Sequence, residues 1–275
     1  MISHPLVSII TPTWNMGKYL SDCIESVHNQ RYPLIEHIII DNLSTDNTET
    51  IVASYSAVYP RVSYIRERDS GQANAINKGL DLSTGEIVCW LNADDFYAND
   101  QVLPQVVSIF ESMPDLDILC GSGYYVDDNK SYLRRIRLPR IKLLKYCDEI
   151  LQPATFWRRN SIRLREEFHY VFDWIFFIEF LNSGKKFHLV DQELAVYRRS
   201  GTNKTSLDNA ARRQEIVEVQ KEFNSNARLN LWWCSTVKDV YDLLEAHRYP
   251  KWVKKAFWLI VYVVAKISRD RIVSG

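Results

Sequence analysis

The sequence predicts an α/β fold in which helices cover a mainly parallel central sheet. Over the first part of the 275-residue chain, short apolar runs alternate with segments whose apolar residues recur at three and four positions. Strand–helix–strand repeats of this kind are joined by right-handed crossovers, which place successive strands parallel. Each apolar run is also followed by a polar cluster, as expected where the carboxyl ends of parallel strands meet at one sheet edge.

Four apolar runs are predicted to be strands buried on both faces, because they are short and contain few polar residues. They are "LVSII" at 6–10, "HIIID" at 37–41, "VSYIRE" at 62–67 and "EIVCWL" at 86–91. Two helices are predicted between the first three runs from apolar residues at helical spacing. The first contains Tyr19, Leu20, Cys23, Ile24 and Val27, and the second contains Ile51, Val52, Tyr55, Val58 and Tyr59. Ser44 or Thr45 is the expected N-cap of the second helix, and Pro60 is expected to end it.

The composition is that of a globular protein and argues against several functional classes. Lys plus Arg and Asp plus Glu both number 34, so the chain has no global positive field for binding nucleic acid. Its five cysteines are scattered without a CxxC or Cys/His cluster, which argues against structural zinc and a disulfide framework. The sequence begins without the basic and apolar regions of a signal peptide, so we expect a cytoplasmic protein.

The neutral charge balance hides two basic segments. Seven Lys and Arg residues and no acid lie between Asp128 and Asp148, and the tail from Arg248 has seven basic residues and one acid. Such segments are either ordinary solvated faces or surfaces suited to an anionic membrane or a pyrophosphate.

The four polar clusters after the strands are expected to converge on one sheet edge and form a site. They are residues 11–15, 41–48, 68–79 and 92–95. The last cluster contains adjacent carboxylates, Asp94 and Asp95, which repel each other and need either open solvent or a cation. On the residues alone, the alternative is a solvated turn or the cap of the next helix.

Taken in order, these segments resemble the GT-A glycosyltransferases of family 2. The resemblance is carried by "SIITPTWN", "IIIDNLSTDNT", "DSGQANAINKGL" and "GEIVCWLNADD", and it continues through "LQPATFWRR", "FDWIFFIEFLNSGKKF" and "ELAVYRRSGTNKT". It covers roughly residues 5–205 and is strongest for the bacterial branch that elongates surface polysaccharides such as O-antigen or capsule. The resemblance implies a GT-A, Rossmann-like sandwich.

The resemblance also implies a donor site for a nucleotide-sugar, with uridine favoured as the nucleoside. The residues it assigns to the nucleotide are Thr11, Pro12, Thr13, Asp41, Asn42, Asp69, Gln72, Asn77, Asn92 and Ala93. Asp94 and Asp95 stand at the family's metal-binding signature, where Mn²⁺ or Mg²⁺ would stabilise the departing nucleoside diphosphate.

For the acceptor side, the resemblance implies that Asp173 is the catalytic base. Its aromatic surroundings are expected to raise its pKa by desolvation, and a helix N-cap is the alternative role. Gln152 is expected on the acceptor side, with a core-edge hydrogen bond as the alternative. Arg198, Arg199 and Lys204 could supply positive charge to the phosphates, and the six histidines are expected to be structural.

Two regions are predicted along the chain. Residues 1–207 would form the catalytic domain, with a nucleotide-sugar half to about 100 and an acceptor half from 101, and residues 208–275 would form a helical appendage. Its apolar core, 256–265, is too short for a span of about 20 residues, so an amphipathic interfacial helix is expected. A helix docked on the domain or on a second subunit is the alternative. The first reading predicts a peripheral protein on the inner face of the plasma membrane.

The predicted function is inverting transfer of a hexose or N-acetylhexosamine from a UDP-sugar to a hydroxyl of a polyprenyl-diphosphate-linked oligosaccharide. A GDP-sugar is the alternative donor. A nucleotidyltransferase is a rival, but it would need a Gly-rich phosphate loop, which "TPTWNMG" is not. The other rival is a catalytically decayed nucleotide-sugar-binding protein. The hints for it are departures from the family pattern at Asn42, Asn74, Asn92, Phe172 and Glu179.

Overall fold

The computed structural model describes residues 4–199 and 210–223, together with residues 250, 252, 253 and 256. The chain divides into two compact units, Met1–Ile216 and Val217–Gly275. The first unit includes the start of a helix that lies beyond the predicted domain limit at 207. Most of the apolar segment predicted to lie on a membrane is outside the described residues. Lys204 is also outside them. Within the described part of the chain, no helix has the length and apolarity needed to cross a membrane.

The first unit is built on one nine-stranded sheet with helices packed against it. The strands are β1 Val7–Thr13, β2 Ile35–Asp41, β3 Val62–Arg66, β4 Ile87–Trp90, β5 Phe96–Tyr97, β6 Ile118–Val126, β7 Tyr132–Ile136, β8 Thr155–Arg158 and β9 Phe187–Arg198. The helices are α1 Gly17–His28, α2 Thr48–Ser56, α3 Gln72–Leu82, α4 Val102–Ser112, α5 Phe172–Asn182 and α6 Ala210–Phe223, and 3₁₀ turns lie at Ile141–Leu143 and Gln152–Ala154.

The strand order is β3-β2-β1-β4-β8-β6-β9-β5, with β7 paired to β6. The predicted parallel sheet is confirmed for the first four of these strands, since β3, β2, β1 and β4 pair parallel throughout. Beyond β4 the sheet becomes mixed, because β8 runs antiparallel to both β4 and β6 whereas β9 runs parallel to β6. The α/β fold class predicted from the sequence is therefore confirmed.

The four predicted strands are observed, with changes at their ends. Every residue of β1 is buried, which agrees with a strand covered on both faces. β1 continues past the predicted end at residue 10, because β2 stays paired with it until Thr13 lies opposite Asp41. The segment Thr11–Thr13, expected in the polar cluster that follows the strand, is therefore the last part of the strand itself.

The predicted N-cap of α2 is wrong. The helix begins at Thr48, and neither Ser44 nor Thr45 caps it. Asp46 organises this end instead, since its Oδ1 accepts hydrogen bonds from the Thr48 amide at 3.0 Å and the Thr48 hydroxyl at 2.6 Å. The Ser44 hydroxyl does not reach the helix, because it donates to the Asp41 carboxylate instead.

An aromatic cluster joins the end of β4 to α5. Trp90 stacks on Phe177 with ring centroids 5.9 Å apart, and it meets Phe176 and Trp157 edge-on at 5.4 Å each. Trp90 is 1% exposed, and both phenylalanines are equally buried. Such offset and edge-to-face pairs add stability beyond the buried area alone. The cluster ties the start of the acidic turn to the helix that carries Asp173.

The basic segment between Asp128 and Asp148 is extensively paired with acids. Lys130 contacts Asp22 at 2.6 Å, Arg135 contacts Asp191 and Glu193, and Arg140 contacts Glu149. These pairs are exposed or half-exposed, where each contributes little free energy. They reduce the net positive field of this segment, which favours its interpretation as a solvated face.

Two of the histidines form a buried group, in keeping with a structural role. His37 is fully buried; its Nε2 lies 2.9 Å from the Thr11 hydroxyl and its Nδ1 lies 3.3 Å from His28. His28 stacks on Tyr59 at 4.1 Å. Burial lowers the pKa of His37 to about 3, with the charge of His28 acting in the same direction, and burial lowers that of His28 to about 4.

Candidate active site

The turn after β4 carries the two adjacent carboxylates. The Asp95 amide donates to the Asn92 carbonyl at 3.0 Å, which closes the turn. Asp95 is 1% exposed and points inward, where its Oδ1 accepts from the Arg198 amide at 3.1 Å and its Oδ2 from the Asn92 side chain at 3.2 Å. Asp94 is half-buried, and Ala93 between the polar residues is packed into the core. Asp94 is therefore the more accessible of the two acids.

Burial raises the pKa of both acids. For Asp95 the negative charge of Asp94 adds to burial, while the amide and charge of Arg198 act in the opposite direction. For Asp94, burial is likewise the largest cause and the charge of Arg198 opposes it. Two carboxylates held close together in a poorly solvated turn form a site that an added cation would stabilise.

The donor set fits a hard divalent cation that is shared with phosphate. Carboxylate and amide oxygens are the ligands that Mg²⁺ and Mn²⁺ prefer, and Mg²⁺ sites commonly use one or two carboxylates and complete the shell with substrate phosphates and water. Among the described residues, no group of three or more His, Cys, Asp or Glu side chains is arranged to hold a metal by itself. Asp94, with Asp95 and Asn92 around it, would be such a partial ligand set.

Arg198 fixes the acidic turn from behind. Its guanidinium donates to the Asp94 carbonyl at 3.0 Å and to Asp22 at 2.6 Å, and it lies over the rings of Tyr19 and Phe96. The side chain is almost fully buried by these contacts. The expectation that Arg198 supplies charge to phosphates gains no support, because its guanidinium is directed toward Asp22. Arg199 is exposed, stacks over Tyr125 at 5.3 Å and does not join the described network.

Three of the predicted residues meet in an amide network beside the acidic turn. Gln72, the first residue of α3, donates to the Asn92 side-chain oxygen at 2.9 Å. The Asn92 amide donates to Gln152 at 3.2 Å, and Gln152 in turn donates to the Trp90 carbonyl at 2.6 Å. The network connects the end of β4 and the start of α3 to the 3₁₀ turn that precedes β8. It brings Gln152, predicted on the acceptor side, next to residues predicted for the donor.

The ends of β1 and β2 lie side by side and form a second part of the site. Asp41 is fully buried; its Oδ2 accepts from the Tyr64 hydroxyl at 2.6 Å, and its Oδ1 accepts from the amide and hydroxyl of Ser44. Arg66 Nε lies 3.6 Å from the same carboxylate. Asp41 thus has partners within the protein, in addition to any contact that a ligand would make.

Thr13 has the chemistry of a ligand contact. Its hydroxyl is buried and has no hydrogen-bond partner among the residues that the structure describes. Buried polar groups without partners are rare, and a ligand group or water commonly satisfies them. The neighbouring Asn42 amide donates to the Thr13 carbonyl at 3.1 Å, and the Asn42 side chain accepts from the Asp69 amide at 3.0 Å. Asn42 and Asp69, both predicted for the nucleotide, are therefore adjacent.

Two residues predicted for the nucleotide have their side chains engaged elsewhere. The Thr11 hydroxyl is directed into the core toward His37. Asn77 donates to the Leu164 carbonyl at 2.9 Å and accepts from the Leu164 amide at 2.9 Å, and it also donates to Glu166 at 2.8 Å. Asn77 therefore holds the segment that leads to α5.

Asp173 lies in the first turn of α5 and is half-buried. Its Oδ1 accepts from the Trp174 amide at 2.8 Å. Burial raises its pKa to about 6, against the opposing effects of the backbone hydrogen bonds and the positive charge of Arg212. A carboxylate with a pKa near 6 is mostly ionised at neutral pH and is a stronger base than an ordinary aspartate. The direction of this pKa shift agrees with the sequence expectation, and Val171 occupies the N-cap position that was the alternative role of Asp173.

Sequence reasoning missed two features near the site. Trp14 is 61% exposed on the turn after β1, where Asn15 is held to Ser44 and Thr45 by hydrogen bonds. The other is Glu215 of α6, which contacts the segment before α5 over a sequence separation of about 45 residues. Trp14 lies inside a quoted motif and could have been singled out as an aromatic beside a polar cluster. No local signal identifies Glu215.

The fold and the site define a class of proteins, the GT-A-like glycosyltransferases. The chain belongs to glycosyl transferase family 2, since the family's sequence model matches residues 8–204. Among curated relatives, the putative teichuronic acid biosynthesis glycosyltransferase TuaG of Bacillus subtilis is 38% identical over 39% of this chain and 43% of its own length. An uncharacterized glycosyltransferase of Methanocaldococcus jannaschii is 27% identical over 72% of both chains.

Solved structures share the fold. S. aureus TarS residues 1–349, in complex with UDP-GlcNAc, superposes with a TM-score of 0.66 at 20% identity and covers 79% of this chain and 65% of that one. The mannosyltransferase PcManGT from Pyrobaculum calidifontis, in complex with GDP-Man and Mn²⁺, gives a TM-score of 0.61 at 16% identity over 96% of this chain and 81% of its own. The chain spans about two fifths of the length of several curated relatives.

Proposed function

We propose that this protein transfers a hexose or N-acetylhexosamine from a UDP-sugar to a hydroxyl of a lipid-linked oligosaccharide, with inversion at the anomeric carbon. The observation that carries the proposal is the acidic turn at the end of β4, where Asp94 and Asp95 form a poorly solvated pair beside the Gln72–Asn92–Gln152 network. Family membership supports the transferase class. The UDP and UDP-GlcNAc complexes of TarS support uridine as the nucleoside.

In this proposal the nucleotide lies across the ends of β1 and β2. The unpartnered Thr13 hydroxyl and the Asp41–Asn42 segment would contact the nucleoside, and the exposed ring of Trp14 would cover the base. Gln72 and Asn92 would orient the donor next to the acidic turn, with Asp69 close to Asn42. Asp94 would hold Mn²⁺ or Mg²⁺, with Asp95 fixing the turn. When bound, the cation supplies charge stabilisation to the departing nucleoside diphosphate.

Asp173 would act as the base on the acceptor side. It would accept the proton of the acceptor hydroxyl as that oxygen forms its bond to the anomeric carbon and the bond to the nucleoside diphosphate breaks. A single displacement of this kind inverts the anomeric configuration, so an α-linked donor gives a β-linked product. Gln152, which is joined to Asn92, would line the same region.

The proposed acceptor and the membrane location rest on the sequence. TuaG is described as a teichuronic acid biosynthesis glycosyltransferase, which supports a surface-polysaccharide acceptor. The predicted interfacial helix at the end of the chain would bring the catalytic unit to a lipid-linked glycan on the inner face of the plasma membrane. If so, deleting residues 248–275 shifts the protein from membrane to soluble fractions, and unchanged partitioning contradicts this part of the proposal.

The deciding experiment is a donor panel. The protein is incubated with Mn²⁺, Mg²⁺ or EDTA and with UDP- or GDP-sugars, with and without a polyprenyl-diphosphate acceptor, and nucleotide release is measured. Metal-dependent release from one UDP-sugar, lost in Asp94→Asn and Asp173→Asn, is the expected result. Turnover of GDP-mannose alone would assign the donor class of PcManGT instead. Donor binding without turnover under every condition would favour the decayed binding protein.

A further inference from the structure

A carboxylate from α6 accepts hydrogen bonds from the backbone amides just before α5. Glu215 Oε1 accepts from the His169 amide at 2.8 Å, and its Oε2 accepts from the Tyr170 amide at 2.7 Å and the Val171 amide at 3.2 Å. Three successive N–H groups therefore converge on one side chain. Converging backbone N–H groups form an anion-binding concavity, and here the anion belongs to the protein.

The position of this contact in the chain matters for Asp173. The last of the three amides belongs to Val171, two residues before Asp173, and α5 begins between them at Phe172. The N-cap residue Val171 offers no side-chain cap, so Glu215 satisfies donors that would otherwise lack a partner at this helix start. A negative charge at a helix N-terminus is also favoured by the helix dipole.

The same segment is held from its other side by α3. Asn77 bonds both backbone groups of Leu164, and Asn74 donates to Glu166 Oε2 at 2.9 Å. The stretch from Leu164 to Val171 is thus fixed at its beginning by α3 and at its end by α6. Asp173 follows directly, which leaves little freedom for its backbone.

We propose that Glu215 is a positioning residue for Asp173: its carboxylate holds the backbone of residues 169–171 so that Asp173 is presented in a fixed orientation at the start of α5. The inference rests on the proposed function, in which Asp173 is the base. Arg212 lies three residues before Glu215, on the same face of α6, and its positive charge acts on the Asp173 carboxylate. α6 therefore supplies a carboxylate that bonds to the backbone before α5 and a positive charge that acts on Asp173.

The test compares Glu215→Asp with Glu215→Gln. Gln matches Glu in size but replaces one carboxylate oxygen by an NH₂ group that faces backbone donors, whereas Asp is shorter but keeps both acceptor oxygens. If the acceptors matter, Gln lowers kcat by about 10- to 100-fold, because small misplacements of a reacting group have effects of that order. The KM for the donor stays within about 3-fold, since the donor contacts are elsewhere, and Asp retains more of kcat than Gln. Glu111→Gln, on α4, is the matched control, because Glu111 is half-exposed and its described contact is with His4.

Two results overturn the inference. One is a Gln variant at least as active as the Asp variant, because packing volume would then decide the effect. The other is a parallel loss of kcat and donor affinity, which would indicate general damage to the fold.

Hydrogen exchange separates this inference from the proposed function. In the folded Glu215→Gln variant, the amides of residues 169–171 are expected to exchange faster than in the wild type, whether or not a donor has been found. If the wild type turns over no donor, the proposed function fails, and with it the catalytic meaning of the contact. Unchanged exchange at these amides overturns the role of Glu215 even if the enzyme is active.

Discussion

The backbone N–H of Arg198 donates to Asp95 while the guanidinium of the same residue donates to the carbonyl of Asp94. One residue at the end of β9 therefore holds two consecutive acids at the end of β4. The two strands are far apart in sequence, and the contact closes the acidic turn against the second half of the sheet. Arg198 reaches Asp22 of α1 as well, so three elements meet at its side chain.

Arg198→Met is expected to destabilise the protein by about 3 kcal/mol, because it leaves the Asp22 carboxylate and the Asp94 carbonyl with fewer partners in a buried place. Urea unfolding at neutral pH measures the change. Arg198→Lys is expected to recover only part of it, since one ammonium group lacks the planar fork that reaches several acceptors. The exposed Arg61 is a suitable control, and Arg61→Met should leave the urea midpoint nearly unchanged. A midpoint for Arg198→Met equal to that of the control would contradict the structural role.

The raised pKa of Asp173 predicts a pH dependence of turnover. As the proposed base, Asp173 acts when deprotonated, so kcat should fall as pH drops through about 6, the pKa to which burial raises this acid. Asp173→Asn should abolish this limb and lower kcat by about 10²- to 10⁴-fold, with donor affinity retained. The profile is measured at saturating donor between pH 5 and 8. A profile that stays flat down to pH 5 would contradict the role of Asp173 as a base with a raised pKa.

Asn77→Ala is expected to lower the stability of the protein more than it weakens donor binding. Asn77 makes hydrogen bonds to both backbone groups of Leu164, and losing partners for buried polar groups costs about 1–3 kcal/mol each. The measurements are the urea midpoint and the Kd of the free nucleotide. The exposed Asn29 supplies the control, as Asn29→Ala should change neither. A weakened nucleotide affinity with unchanged stability would instead return Asn77 to the donor site.

Acid should destabilise the protein through its buried histidines. The pKa of His37 is lowered to about 3 in the folded chain, whereas an unfolded histidine titrates near ~6.5. The unfolded state therefore takes up a proton first as pH falls, and folding stability declines below about pH 6.5. At pH 5 the loss for His37 is about 2 kcal/mol. Denaturant titrations between pH 7 and 5 test this, and the decline should be smaller in His37→Gln.

Sequence reasoning predicted the half of the fold that contains β1 to β4 well because its signals are local. The apolar runs of β1, β2, β3 and β4 and the helical spacing within α1 lie inside short windows, and burial on both faces leaves few alternatives. The predicted N-cap of α2 was wrong because several Ser, Thr, Asp and Asn residues near the helix start could cap it. Tertiary contacts decide which of them does so. The mixed half of the sheet could not be predicted from local patterns, since the paired residues of β6 and β9 are about 70 positions apart in the sequence.

The site shows the same division. The members of its acidic turn and amide network were singled out through the motifs that carry them, but the hydrogen bonds that join Gln72, Asn92 and Gln152 were not predicted. Asn77 and Thr11 stand in the same motifs, yet the side chains engage the segment before α5 and the core, and only the fold reveals this. Arg198 and Glu215 act through contacts between distant segments, so neither role is visible in any sequence window.

The packing of Trp90 against Phe176 and Phe177 has a consequence for how this protein would tolerate change. Trp90 comes four residues before Asp94, and Phe176 follows Asp173 by three positions, so the rings act as a spacer between the acidic turn and the proposed base. Trimming one of these rings would alter the separation of two groups that it does not touch. Selection for sugar transfer would thus restrict the size of these side chains more tightly than selection for folding alone.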